Sequence, residues 1–267
     1  MDRKITSIFF SIDKNVSNSE ESIKAAVSLS KKCSCELTYV LTSESLDILG
    51  ANQEEGARNF KMKYFGDVKQ VKTDQGLWKG LAEESKKYDC NLVVLGAPPI
   101  KSSLFGGGMA GGVSKFDSSA VVFIGDKSTW SEPKSILMPL DSQSETRQKF
   151  FRVSEIAKIY RSTVNVLGIA QSDESEEKTY VHTFSFQGKN YMEERRIKAE
   201  IKEITSKNCA ETVLEESDAL SSNWISVVSN TEGAFKTSSF QKVSEMANVP
   251  VLIMPFQELA GAGGVGY

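Results

Sequence analysis

Asn91-Leu92-Val93-Val94-Leu95-Gly96 is the stretch on which the fold turns. It is an unbroken apolar run stopped by glycine, too short for a helix and without the alternation of a strand that wets one face, so it reads as a strand buried on both sides. Downstream, after a glycine-rich segment and a predicted helix, Ala120-Val121-Val122-Phe123-Ile124 repeats the pattern. Upstream, Leu77–Tyr88 reads as helix, Val68–Thr73 as a short strand, and 44–64 as a charged helix. Cys35–Leu41 reads as another strand, and Ile23, Ala26, Val27 and Leu29 recur at helical spacing. Ile5–Ile12 (ITSIFFSI) opens the series as a β-rich run ending at Asp13. Strands with continuous apolar runs, alternating with helices, predict an α/β fold whose mostly parallel sheet is covered on both faces.

The order then recurs. Ser135-Ile136-Leu137-Met138-Pro139-Leu140-Asp141 echoes the run ending at Asp13, 128 residues earlier. Trp224–Ser229 echoes Leu92–Gly96, and Val249–Met254 echoes Ser119–Ile124 at a spacing of 130. A shared period across three elements indicates a tandem repeat. The expected organisation is two α/β domains, 1–126 and 134–256, each with an open, mostly parallel five-stranded sheet flanked by helices. Residues 127–133 form a Gly/Pro-bounded linker, and the glycine-rich 257–267 a flexible tail. Residues 171–190 (QSDESEEKTYVHTFSFQGKN) read as an insertion in the second domain, with Thr-Tyr-Val-His-Thr-Phe-Ser-Phe alternating like an edge strand or hairpin.

Composition narrows the function classes. The chain has 267 residues, 40% hydrophobic and 25% charged, enough for ordinary cores. A net charge of −3 argues against coating nucleic acid. The N-terminal apolar run is too short for a secretory signal, and no stretch approaches the ~18 apolar residues of a membrane span. A cytoplasmic setting is therefore expected, with Cys33, Cys35, Cys90 and Cys209 as reduced packing residues. Cys33-Ser34-Cys35 is CxC rather than CxxC, with no histidine or second cysteine pair near it to complete a zinc site. The single histidine, His182, reads as structural or exposed rather than catalytic. No nucleophile–base set, carboxylate pair or metal-ligand cluster stands out.

One constellation points to a phosphate. Gly106, Gly107, Gly108, Gly111 and Gly112 lie between a parallel strand and a predicted helix, where glycine lets backbone N–H groups approach an anion at a helix N-terminus. Asp13 closes the first strand, at the end of the sheet where open α/β folds take ligands. The same features fit a plain alternative: glycines for tight helix packing, and Asp13 as a cap.

The run of elements, with a strand ending in Asp, a fourth strand ending in Gly and a glycine-rich loop before the last helix, resembles the universal stress protein family. Of the family signature G-x2-G-x9-G-[ST], Gly96 at the end of the fourth strand takes the first position, and Gly107-Gly108 at the helix start fall where it ends in Gly-[ST]. Pro98-Pro99 and a loop about two residues short depart from it, and Gly108 stands where the family has a hydroxyl. The resemblance implies a universal stress protein-like, Rossmann-like fold binding ATP or AMP, with Mg2+ only alongside nucleotide. Asp13 would lie near the adenosine, backbone around Val40 would meet the adenine, and Gly96, Gly106, Gly107, Gly108 and Ser114 would surround the phosphates. It further implies a stress-response regulator working through a protein partner, ATP hydrolysis that is slow at most, pairing of the two domains within the chain through their last strands, and homodimerisation of two chains. In the second domain the matching loop, Ser229–Ser239, has the single glycine Gly233 and carries Glu232, so no ATP binding is expected there.

Two other readings stay open. A nucleotide-free interaction module of the same fold fits Pro98-Pro99 and the degenerate second half. A dinucleotide-dependent oxidoreductase would use Gly106-x-Gly108-x-x-Gly111 with Asp126 twenty residues on, although some eight residues separate the strand end from Gly106 where that fingerprint wants none.

Overall fold

The computed structural model describes residues 4–11, 18–42, 69–97, 108–116, 119–229 and 237–257. In the first half, β1 (Ser7–Phe10), α1 (Ser19–Cys33), β2 (Glu36–Leu41), β3 (Lys69–Lys72), α2 (Leu77–Lys87), β4 (Leu92–Gly96), α3 (Gly108–Val113) and β5 (Ala120–Ile124) follow in order. The second half runs β6 (Ser135–Leu140), a 3-10 turn (Ser144–Lys149), α4 (Phe150–Tyr160), β7 (Thr163–Ala170), α5 (Ser175–Glu194), β8 (Ala199–Thr205), α6 (Cys209–Ala219), β9 (Trp224–Ser229), α7 (Thr237–Met246) and β10 (Val251–Pro255).

Among the described residues all ten strands form one sheet, in the order β3-β2-β1-β4-β5-β10-β9-β6-β7-β8. Within each half every pairing is parallel. The halves join through one antiparallel pair, β5 with β10, in the register Val251↔Phe123, Leu252↔Val122 and Ile253↔Val121. The expected pairing of last strands within one chain is thus present, and it fuses the two sheets into one.

Side-chain alternation along these strands feeds two cores, one on each face. Ile8, Phe10, Leu92, Val94, Val122, Met138, Trp224 and Leu252 pack beneath α1, α4 and α5. Phe9, Val93, Leu95, Val121, Phe123, Ile225, Val227 and Ile253 pack beneath α2, α6 and α7. Each core draws on both halves, so apolar burial, the dominant favourable term in folding, does not stop at the junction. The 127–133 segment is pinned as well. Asn18 donates to Gly125 O and Ser128 O (2.8 and 2.6 Å), Trp130 N–H donates to Glu21 (2.7 Å), and the Trp130 ring meets Trp224 edge-on at 5.6 Å.

The repeat extends to single side chains. Asn91, just before β4, accepts from Thr6 N–H (3.4 Å) and donates to Lys4 O (2.6 Å), clamping the chain as it enters β1. Asn223, just before β9, accepts from Lys134 and Ser135 N–H (2.9 Å each) and donates to Glu132 O (2.7 Å), clamping the entry to β6. Five helices also end alike: Ser34, Asp89, Arg161, Arg196 and Ser221 all take left-handed backbone, with φ between 49° and 61°. In each case the next N–H reaches back to a carbonyl of the helix's last turn, as Cys35 does to Ser30 (3.1 Å) and Ser222 to Ser217 (2.8 Å).

One expectation is corrected. Residues 175–194, within and beyond the segment read as edge strand or hairpin, form the helix α5, which crosses from β7 to β8. The alternation of Thr179–Phe186 holds over too short a window. Across the whole segment the buried positions are Val181, Phe184, Ser185, Gly188 and Met192, at helical spacing. Gly168 on β7 makes room for it: a Cβ there would lie 2.5 Å from Ser185 Oγ and 2.7 Å from Val181. The predicted helix over 44–64 lies outside the described residues.

Candidate functional site

Each half has a topological switch point. β1 lies between β2 and β4, and β6 lies between β7 and β9, so chains leave the central strand in opposite directions and a crevice opens at the carboxyl ends.

In the first half, β1 runs into Ser11, which is 1% exposed and whose hydroxyl donates to Val40 O at 2.7 Å. Gly96 closes β4, and the next N–H, from Ala97, donates to Ile124 O at 2.9 Å. Val40 and Gly96 therefore flank the end of β1, on neighbouring strands. Gly108 opens α3, while Ser114 follows the end of that helix, exposed, with its hydroxyl donating to Gly111 O at 3.0 Å. Six residues of helix span about 9 Å, so Ser114 stands at the opposite end of α3 from Gly108 and its hydroxyl is engaged locally. Asp13, Gly106 and Gly107 lie outside the described residues, as do Pro98 and Pro99. Gly112 has a packing reason: a Cβ there would fall 2.1 Å from the Trp78 ring on α2. Trp78, which no motif singles out, thus sets how closely α3 approaches α2.

The second crevice is built differently. Asp141, at the position matching Asp13, is 1% exposed and accepts from Gln143 N–H at 3.0 Å. Lys149 ends the 3-10 turn and is buried to the same degree, its ammonium donating to Pro139 O on β6. Burial pushes the Lys149 amine down to about 7, while the charge of Asp141 pulls the other way. Burial, and next the charge of Asp141, push the Cys209 thiol up to about 11. The charge of Asp141 thus acts on an amine buried in the same crevice. No sequence signal marks Lys149, because a lysine in Ser-Glu-Thr-Arg-Gln-Lys reads as solvent-facing. The loop holding Glu232 and Gly233 lies outside the described residues.

His182 lies on α5, largely exposed, with Nδ1 3.0 Å from Glu203. Cys33, Cys90 and Cys209 are buried and Cys35 half-buried, all four reduced. Among the described residues no group of three or more His, Cys, Asp or Glu side chains gathers as a metal site, and no helix is long and apolar enough to cross a membrane.

No protein-family model matches the sequence, and no curated protein sequence matches it. Solved structures do. A universal stress protein from Archaeoglobus fulgidus matches 96% of this chain over 98% of its own, at a TM-score of 0.64 and 10% identity. A protein from Pseudomonas aeruginosa UCBPP-PA14, provisionally named a universal stress protein, matches 94% over 94% at 0.65 and 12%. A functionally unknown protein from Pseudomonas aeruginosa PAO1 matches 94% over 93% at 0.62 and 13%. The likeness is one of fold: the mostly parallel open sheet flanked by helices is that of universal stress proteins, present twice in one chain.

Proposed function

We propose that this chain is a cytoplasmic universal stress protein that binds one adenine nucleotide, ATP or AMP, at the β1–β4 switch point of its first half and conveys occupancy to a protein partner. The observation that carries this reading is the asymmetry of the two crevices. In the second, Lys149 and Asp141 are both buried, and the charge of the one acts on the other. In the first, the described rim of Ser11, Val40 and Gly96 is uncharged. On this reading Asp13 meets the adenosine and Gly106–Gly108 the phosphates, with Mg2+ entering only with nucleotide. The second half serves as a rigid support. The roles are those of binding and switching; no residue is assigned to catalysis, and turnover of ATP is slow at most.

The test is to denature purified protein, identify any released nucleotide, and titrate the stripped, refolded protein with ATP, AMP and NADH by calorimetry. The expected result is about one adenine nucleotide per chain, lost in Gly107→Leu and unaffected by Lys149→Met. Nucleotide in both halves would contradict the assignment of roles, and NADH binding alone would favour the oxidoreductase.

A second reading, an interaction module without nucleotide, has two observations in its favour. The Val40 carbonyl already accepts a hydrogen bond from Ser11, and Gly112 is explained by Trp78 alone. No binding of any of the three ligands, with partner capture unchanged in Gly107→Leu, would select it.

A further inference from the structure

The seam between the halves, at the opposite end of the strands from the crevices, carries a pair of thiols that the nucleotide reading leaves unused. α1 ends at Cys33. Ser34 follows in left-handed backbone (φ 52°, ψ 48°), its N–H donating to Lys31 O at 3.3 Å, and Cys35 N–H returns to Ser30 O at 3.1 Å. This cap sets Cys33 and Cys35 two residues apart across a tight turn. For helix-like backbone that places the Cα atoms roughly 5.5 Å apart, inside the window of about 4.4–6.8 Å that a disulfide spans. Each thiol bears directly on the ionisation of the other.

Their surroundings come from both halves. Cys90, buried at 2% exposure, donates to the carbonyl of Ser7 (3.6 Å), which pairs with Glu36 next to Cys35. From α4 in the second half, Arg152 and Glu155 form a buried ion pair, and Glu155 also accepts the N–H of Ile5 just before β1. Arg152 is 4% exposed, and its Nε has no hydrogen-bond partner. Its charge favours a negative charge on the Cys33 sulfur and partly offsets the opposing, larger influence of Glu155. The hydrogen bond from Cys35 holds the Cys33 thiol below its ordinary range. Arg152 and Lys4 act in the same direction, against burial and Glu155. Donating that hydrogen bond, together with burial, raises Cys35. The two thiols are thereby unlike: one prepared to attack, the other held in reserve beside it.

We propose that Cys33-Ser34-Cys35 is an oxidisable dithiol at the seam between the two halves, closing to a disulfide on reaction with a hydroperoxide. The Cys33 thiolate attacks the outer peroxide oxygen. The O–O bond breaks, the alkoxide (or hydroxide) leaves and takes up a proton, and Cys33 becomes a sulfenic acid. Cys35, losing its proton, attacks that sulfur; the S–S bond forms, the S–O bond breaks and water departs. The two thiols lose two electrons and the hydroperoxide is reduced to an alcohol and water. Closing the ring reshapes the α1–β2 corner against which Arg152 and Glu155 pack, so oxidation is felt across the seam. The inference is independent of nucleotide binding.

The test treats the native full-length chain with one equivalent of tert-butyl hydroperoxide, alkylates with iodoacetamide, digests with trypsin and weighs the peptides. Cleavage after Lys32 and Arg58 isolates both cysteines in peptide 33–58, away from Cys90 and Cys209. The expected product is that peptide about 2 Da lighter and unalkylated, restored by dithiothreitol. It should form at least tenfold faster than any oxidation of Cys90 or Cys209. In Cys35→Ser, Cys33 should stop at a sulfenic acid trapped by dimedone, and in Cys33→Ser neither product should form. Full alkylation of both residues after oxidation would overturn the proposal. So would a rate equal to that of the urea-unfolded chain, or dimedone trapping of Cys35 in Cys33→Ser as ready as that of Cys33 in Cys35→Ser.

Discussion

Lys149 is the residue whose behaviour departs furthest from its type. Its buried amine falls to about 7 in the folded chain against an ordinary value of 10.5. Below pH 7 both folded and unfolded chains hold the proton, and folding bears the full cost of burying the charge. Above pH 7 the folded chain releases the proton while the unfolded chain keeps it, so stability rises with pH, by at most about 1.4 kcal/mol per unit for one group. Cys90 and Cys209, both raised to about 11, oppose this once unfolded thiols begin to ionise near pH 8.5. Urea titrations at pH 6, 7, 8 and 8.5 should therefore show stability climbing between pH 7 and 8.5 in the native chain and nearly flat in Lys149→Met. Equal slopes in the two proteins would refute the assignment. Asn223→Ala strips the acceptor from two strand-entry N–H groups and should cost about 1–3 kcal/mol by urea unfolding. Gly112→Ala, a change that ordinarily stabilises a helix, should instead destabilise by about 1–3 kcal/mol because of Trp78. The ends of β2 and β4, where Val40 and Gly96 lie, were legible because an apolar run breaks there, whereas a ligand role for either residue was expected from the resemblance alone. Lys149, Trp78 and the thiol environment were not, since each acquires its character only from groups far away in the chain.

Among the elements, strands were the most legible: a run such as Leu92–Gly96 can do little except lie in the middle of a sheet. The helix α5 was the least legible, because Thr179–Phe186 alternates locally although the buried set follows a helical period. The helix ends follow a common design that composition conceals. Ser34, Asp89, Arg161, Arg196 and Ser221 each hold a conformation that costs an L-residue roughly 1 kcal/mol relative to glycine, and each turns the chain sharply down into the next strand. Glycine at these sites relieves that strain while adding some freedom to the unfolded chain. Arg161→Gly and Ser221→Gly should each stabilise by about 0.5–1 kcal/mol in urea unfolding. Because they cap different helices, the double variant should give close to the sum. A loss of stability in both would show that Arg161 and Ser221 make side-chain interactions worth more than the strain.

At the scale of the molecule, the shared sheet and shared cores predict a single unfolding event. Trp78 reports on the first half, and Trp224, with the Trp130 ring of the 127–133 segment against it, on the second. Fluorescence of Trp78→Phe and of the Trp130→Phe, Trp224→Phe double variant should give urea midpoints that, after correction for each variant's own stability by far-UV circular dichroism, coincide with the backbone transition. Separate midpoints within either variant would mean that the halves unfold independently. The tandem order was legible because three elements recur at one period. The fusion of two sheets into one was expected from the resemblance alone, since no pattern in Val121–Phe123 or Val251–Ile253 names its antiparallel neighbour.

The antiparallel β5–β10 pair also changes how substitutions act. In a symmetric dimer of identical chains each substitution appears twice, once on either side of the axis, so neither site can depart without its twin. Here the two sides are written separately in one chain. Lys149 can be buried in the second half without a twin being imposed on the first, and either half can change while the other stays. Covalent joining turns a symmetric pair into two halves that can be edited independently.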